Sequence, residues 1–262
     1  MVRMKTLLPG RWRGTSGLLP AVAAALLLLA GTAHAGGDDG YRQSAAGEES
    51  SRPAGGEGPP SALPPDLQRE VDGIQARYEK LEDFKARFVQ ESRLDATSDP
   101  RRATGEVFYQ KPGRMRWRYE SPDSQEILIR DGKFWQYVPA DKQVVIQAMD
   151  VTRVEYAFLT GLGELKAQFK IRWDNPRRRP GSSLAYLALI PRDEEASFAG
   201  VTLGVDEKHR ILVTEVKDFL GNVTILRFEG MEDNVGVPSE RFQWKSPAGA
   251  DVIDMTAGFK TP

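Results

Sequence analysis

Between Thr104 and Ala148 apolar and polar residues alternate with period two. The pattern is most regular in "GRMRWRY", where Arg114, Arg116 and Arg118 interleave with Met115, Trp117 and Tyr119. Alternation of this kind predicts strands with one buried and one solvated face. The predicted strands span 104–111, 113–120, 124–130, 133–138 and 142–148. They are parted by Lys111-Pro112-Gly113, Ser121-Pro122-Asp123, Asp131-Gly132 and Pro139-Ala140-Asp141. Turns this short force antiparallel neighbours, so the stretch reads as a meander. Further strands are predicted at 168–173, 183–190, 200–206, 209–218, 222–230 and 240–245.

Two segments depart from that period. Leu67, Val71, Ile74, Tyr78 and Leu81 recur at spacings of three and four, which marks one face of a helix, with Asp66 as its expected N-cap. Phe84 and Phe88 continue that stripe, while Phe84, Ala86 and Phe88 also alternate as a strand would. Between the two strand sets, Val151, Val154, Phe158 and Leu162 return to helical spacing, interrupted by Gly161 and Gly163. Twist prevents a sheet of about eleven strands from staying flat. The expected fold is therefore mainly β with an α lid: a single curled antiparallel sheet forming an incomplete, half-open barrel covered by helices.

Ahead of the helix, Arg3, Lys5, Arg11 and Arg13 precede the apolar run "LLPAVAAALLLLAGT" and then "AHAGG". A basic start, a short apolar run and small residues at Ala33 and Ala35 have the form of an export signal cleaved near Ala35. The run is shorter than the ~20 residues a spanning helix needs. Residues 36–65, rich in Gly, Pro, Ser and charge, cannot offset their ordering entropy and read as a disordered tether. The organisation expected is thus a signal peptide over 1–35, a tether over 36–65 and one folded domain over 66–262, outside the cytoplasm and monomeric.

Composition then narrows the chemistry. The chain has no cysteine, which excludes disulfides, thiolate catalysis and an amino-terminal lipid anchor. The leader carries four basic and no acidic residues, so the remainder has 32 Lys and Arg against 37 Asp and Glu, a formal charge of −5. Nucleic acid is not an expected partner of such a chain. The one histidine beyond the leader, His209, lies in the turn "DEKHR", and "RRRP" at Arg177 to Pro180 reads as a loop. There is no nucleophile elbow, P-loop or dinucleotide fingerprint. No enzymatic activity, cofactor or metal is expected.

The apolar side carries more information. Met115, Trp117 and Tyr119 share one face of their strand, Ile127 and Ile129 one face of the next, and Phe134, Trp135 and Tyr137 crowd the following hairpin. A curled sheet of this many strands encloses more volume than two short helices fill. An unfilled apolar interior is a ligand site. The expected wall is Met115, Trp117, Tyr119, Ile127, Ile129 and Trp135, with Phe158 and Leu162 supplied by the lid.

The order of motifs also carries a resemblance. "FKARFVQ" at Phe84 to Gln90, "GEVFYQKPGRMRWRY" at Gly105 to Tyr119, "DGKFWQY" at Asp131 to Tyr137 and "FQWKSPAGADV" at Phe242 to Val252 are similar to the outer-membrane lipoprotein carrier family, LolA. The resemblance runs from about Asp66 to Val252. It implies a periplasmic carrier that holds lipoprotein acyl chains in an apolar cavity and shuttles lipoproteins from the inner to the outer membrane. The implied partners are acylated outer-membrane lipoproteins and an inner-membrane ABC transporter that releases them, with an outer-membrane receptor as a further candidate. A periplasmic lipid or lipoprotein sensor of the same fold is the alternative. The resemblance further implies that 84–90 is the first strand and that 151–168 completes the lid. The family has an arginine before the proline that latches the lid through backbone carbonyls. Lys111 stands there, and lysine lacks the planar fork of a guanidinium. Arg114 is the other latch candidate.

Overall fold

The computed structural model describes residues 63–93, 99–149, 165–194 and 196–256. The proposed signal peptide, nearly all of the tether, Phe158 and Leu162 lie outside them. Helix α1 spans Pro65–Lys80. Twelve strands follow in one sheet: β1 Asp83–Arg93, β2 Arg101–Gln110, β3 Arg114–Ser121, β4 Gln125–Arg130, β5 Lys133–Val138 and β6 Gln143–Ala148 form the first set. After the one-turn helix α2 (Leu165–Gln168) come β7 Phe169–Trp173, β8 Ala185–Pro191, β9 Gly200–Val205, β10 Ile211–Lys217, β11 Val223–Asp233 and β12 Asp251–Asp254.

The spatial order is β12-β6-β5-β4-β3-β2-β1-β11-β10-β9-β8-β7. Both meanders are therefore joined through β1, the long strand at the centre, which pairs with β2 on one side and β11 on the other. The two ends do not meet, and the sheet stays open. Every pairing is antiparallel except β12 on β6. The resemblance assigned 84–90 correctly to a strand, where periodicity alone left helix and strand open.

Two expectations are corrected. Residues 240–245 do not form a strand: Ser239–Phe242 is a 3-10 turn between Pro238 and the extended Gln243, while the last strand lies further on at β12. Asp66 is not the N-cap, which is Pro64. Its carboxylate instead accepts from Trp173 Nε1 at 3.0 Å and pairs with Arg177 at 2.8 Å, tying the start of α1 to β7 and its following loop. The basic run lies in a loop, as expected, and there Arg179 bridges Asp174 and Glu215.

The main core lies in the hollow of the sheet. Leu67, Val71 and Ile74 of α1 enter it and meet residues from both meanders, including Val107, Ile127, Leu187 and Leu203. Full burial of side chains of this size stabilises by about 1.5–3 kcal/mol each, which makes α1 part of the folded core. A second, smaller core forms on the other face, where Phe108 and Leu128 are covered by Val237 and Phe242 of the segment after β11.

Candidate functional site

Strands β3 and β4 set the concave wall. In their register Met115 faces Ile129, Trp117 faces Ile127 and Tyr119 faces Gln125. Period two puts all six on one side of the sheet. Phe88 of β1 meets Trp117 and Tyr119 edge to face, with ring centres 5.0 and 4.9 Å away. This meeting depends on Gly105 of β2, where a Cβ would collide with the Arg118 carbonyl and the Phe88 ring. Glycine is required there by close approach of neighbouring groups.

Five of the predicted wall residues, Met115, Trp117, Tyr119, Ile127 and Ile129, are thus brought together in the main core. The sixth is not. Trp135 pairs with Leu128, on the opposite face from Phe134, and stacks on Trp244 at 6.5 Å in the convex cluster. Phe134 takes the concave position that the sequence reading gave to its neighbour. The wall side chains are well covered: Trp117 is 2% exposed and Ile127 0%. Among the described residues, the apolar face of α1 belongs to the same core.

The latch candidates separate cleanly. Lys111 Nζ donates to the Glu79 backbone carbonyl, in the last turn of α1, at 2.7 Å. Carbonyls of a last helical turn lack intrahelical donors and carry the negative end of the helix dipole, so an ammonium group suits them. Arg114 points the other way. Its guanidinium donates to Gln110 Oε1 at 2.9 Å, and Gln110 in turn donates to the Val237 carbonyl of the convex segment.

Other contacts hold α1 to the second meander. Arg77 pairs with Asp233, and His209 Nδ1 lies 2.9 Å from Glu70 Oε1 with its ring against Gly73. The Ile211 N–H donates to Tyr78 Oη, and burial pushes the Tyr78 phenol up to about 12, so it stays neutral. Beside them a cleft of about 390 Å³ is lined by Arg77, Lys80, Lys208, His209 and Asp233 among others. Its charged rim does not suit a hydrocarbon chain. Helix α2 is tied to α1 through Lys166 and Asp72 at 2.6 Å, and this bond holds the Asp72 carboxyl below its ordinary value of 3.8.

Sequence reasoning missed a row of polar residues on the concave wall. Tyr119 donates to Gln90 at 3.0 Å, Gln90 donates to Ser92 Oγ at 3.1 Å, and Gln136 Nε2 donates to Gln125 Oε1 at 3.0 Å. All five are buried. The signal was available, because parity along β4 places Gln125 with Ile127 and Ile129. Burial drives the Tyr119 phenol well above its ordinary value, so it remains a neutral donor.

Among the described residues no group of His, Asp and Glu could hold a metal ion, and no helix is long and apolar enough to cross a membrane. A helix-covered apolar wall inside an open curled sheet makes this fold an incomplete barrel with a helical cover. Residues 79–245 match the family described as "Outer membrane lipoprotein carrier protein LolA", and the chain belongs to that family. It is 29% identical to an outer-membrane lipoprotein carrier protein of Alkalilimnicola ehrlichii over 69% of this chain and 82% of the relative. The carrier of Chromobacterium violaceum is 30% identical over 58% of this chain and 72% of the relative. Among solved structures, a LolA superfamily protein from Nitrosomonas europaea has a TM-score of 0.41 at 12% identity, covering 68% of this chain and 97% of that one.

Proposed function

We propose that this protein is a periplasmic carrier that receives acylated outer-membrane lipoproteins, holds their acyl chains against the concave wall and delivers them without altering them. The observation that supports it most is the buried aromatic and aliphatic wall under a helix fastened at its edges by polar contacts, in a chain of the carrier family. Each buried methylene contributes about 0.8 kcal/mol, so an acyl chain crossing water needs such a shelter. The wall is closed when empty because exposing it would forfeit the same kind of energy. Cargo must therefore take the place of α1, and the Lys111 contact to Glu79 is the latch that yields.

Donor and acceptor partners follow from this role: an inner-membrane ABC transporter that releases lipoproteins, and a receptor or the outer membrane itself at delivery. Export with cleavage near Ala35, followed by a tether that ends ahead of Leu63, fits a protein working between two membranes.

The test is incubation of the purified protein with membranes carrying an acylated lipoprotein. A stoichiometric soluble complex with cargo of unchanged mass is expected, and depletion in the cell should leave lipoproteins at the inner membrane. Absence of a soluble complex, or cargo returned chemically altered, would refute the carrier reading.

A further inference from the structure

The concave wall contains two buried hydrogen-bond donors with no acceptor: Trp117 Nε1 and Gln125 Nε2. The two residues are 2% and 1% exposed. Among the described residues three other buried side-chain atoms lack partners, Arg116 Nε, Gln168 Oε1 and Asp233 Oδ1. Arg116 and Asp233 belong to side chains already engaged in ion pairs, with Glu126 and Arg77. Trp117 differs, because the indole N–H is its only polar atom and can only donate. Gln125 spends its oxygen on Gln136 and is left with its amide hydrogens.

The two donors are neighbours. Gln125 faces Tyr119, and Trp117 lies two residues before Tyr119 on the same face of β3. Diagonal residues of adjacent strands are within reach of one another's long side chains. A buried donor without an acceptor is a cost to folding, and native proteins satisfy most such groups. Two adjacent ones on a ligand-facing wall point to an acceptor brought by the ligand.

On the carrier reading above, we propose that Trp117 and Gln125 form a carbonyl-binding site that grips the ester or amide carbonyl at the head of a bound acyl chain. Methylenes offer no directional contact, so they cannot fix how far a chain enters an apolar wall. A carbonyl can. Its oxygen has two lone pairs, matching one indole N–H and one amide N–H, and it carries no charge that burial would penalise. Around the site Phe88, Met115, Ile127 and Ile129 supply the apolar contact for the chain itself.

The test compares dipalmitoylglycerol with its diether, dihexadecylglycerol, which keeps the chains and lacks the carbonyls. Both are titrated into the purified full-length protein. The wild type should prefer the ester by roughly three- to tenfold, the worth of one or two buried neutral hydrogen bonds. Trp117→Phe keeps an aromatic ring, removes the N–H and should bring the two lipids toward parity, read as the ratio of ester to diether affinity measured on the same variant. Gln125→Leu should do the same, with thermal unfolding recorded because it also strips Gln136 of its acceptor. Equal binding of ester and diether by the wild type, or an unchanged preference in Trp117→Phe, overturns the carbonyl site and leaves the carrier reading standing. Failure to bind either lipid overturns both.

Discussion

The two faces of β2 to β5 are each covered by another part of the chain, and the covers differ in kind. On the convex face, Phe242 sits fully buried beside Phe108 and Leu128, and the strap from Val237 to Trp244 is held by directed bonds. Arg116 donates to the Arg241 carbonyl at 2.8 Å, Arg130 to the Phe242 carbonyl at 3.2 Å, and the Arg241 guanidinium stacks 4.5 Å over the Phe108 ring. Trp244 donates its N–H to Ser246. On the concave face the cover is α1, whose contact with the wall is apolar and whose polar fastenings lie at the rim. There the N–H of Trp117 has no acceptor. One cover is bonded along its length, as a permanent structure would be. The other can lift without breaking a hydrogen bond to the wall beneath it.

The largest expected effect tests whether the convex cover is only structural. Phe242→Ala removes a fully buried ring and should cost about 3–5 kcal/mol, on the order of 10 °C in Tm. Below the lowered transition, retention of an acylated lipoprotein should match the wild type. Retention lost well below that transition would mean that the faces are coupled and the contrast is false.

Much of this contrast was legible from residue parity. Alternation along β3 and β4 placed Met115, Trp117, Tyr119, Ile127 and Ile129 on one wall, and they are there. The same parity places Gln125 among them, although an amide side chain carries no apolar mark of a buried wall. Trp135 was misassigned because Phe134 and Trp135 are both aromatic, and such a pair hides which one faces inward. The strap misled for another reason. Phe242 and Trp244 alternate like a strand, yet Phe242 ends a 3-10 turn, Trp244 lies beyond it and neither joins a strand ladder, because their side chains dock on a face instead of extending the sheet. β12 gave no signal at all: its four residues are all exposed, so no burial period marks them.

A smaller effect sharpens the account of the concave cover. Lys111→Met should remove one charge-assisted bond to the Glu79 carbonyl, and with it about 1 kcal/mol of preference for the closed form. That corresponds to roughly fivefold tighter apparent uptake of a lipid probe, because less of the binding energy is spent on opening. Lys111→Arg keeps a donor and should stay near the wild type. Unchanged uptake in Lys111→Met would show that the contact is a turn ornament and that α1 is held elsewhere.

The smallest expected effect asks whether α1 and α2 move as one cover. Asp72 and Lys166 join them at the surface, and the Lys166 ammonium, with a further bond from Gln68, keeps the Asp72 carboxyl below 3.8 when folded. A depressed carboxylate contributes stability above its unfolded value and loses it as pH falls through the folded one. Wild type should therefore exceed Asp72→Asn in urea midpoint at neutral pH, by a small margin, since an exposed pair is strongly screened. The margin should shrink below pH 3.8 and fade in 1 M salt at neutral pH. Lipid uptake supplies the decisive contrast: if the helices lift together, Asp72→Asn leaves uptake unchanged, because the broken bond was internal to the moving cover. Faster uptake would instead place α2 with the fixed wall, and the hinge of the lid would lie between Asp72 and Lys166.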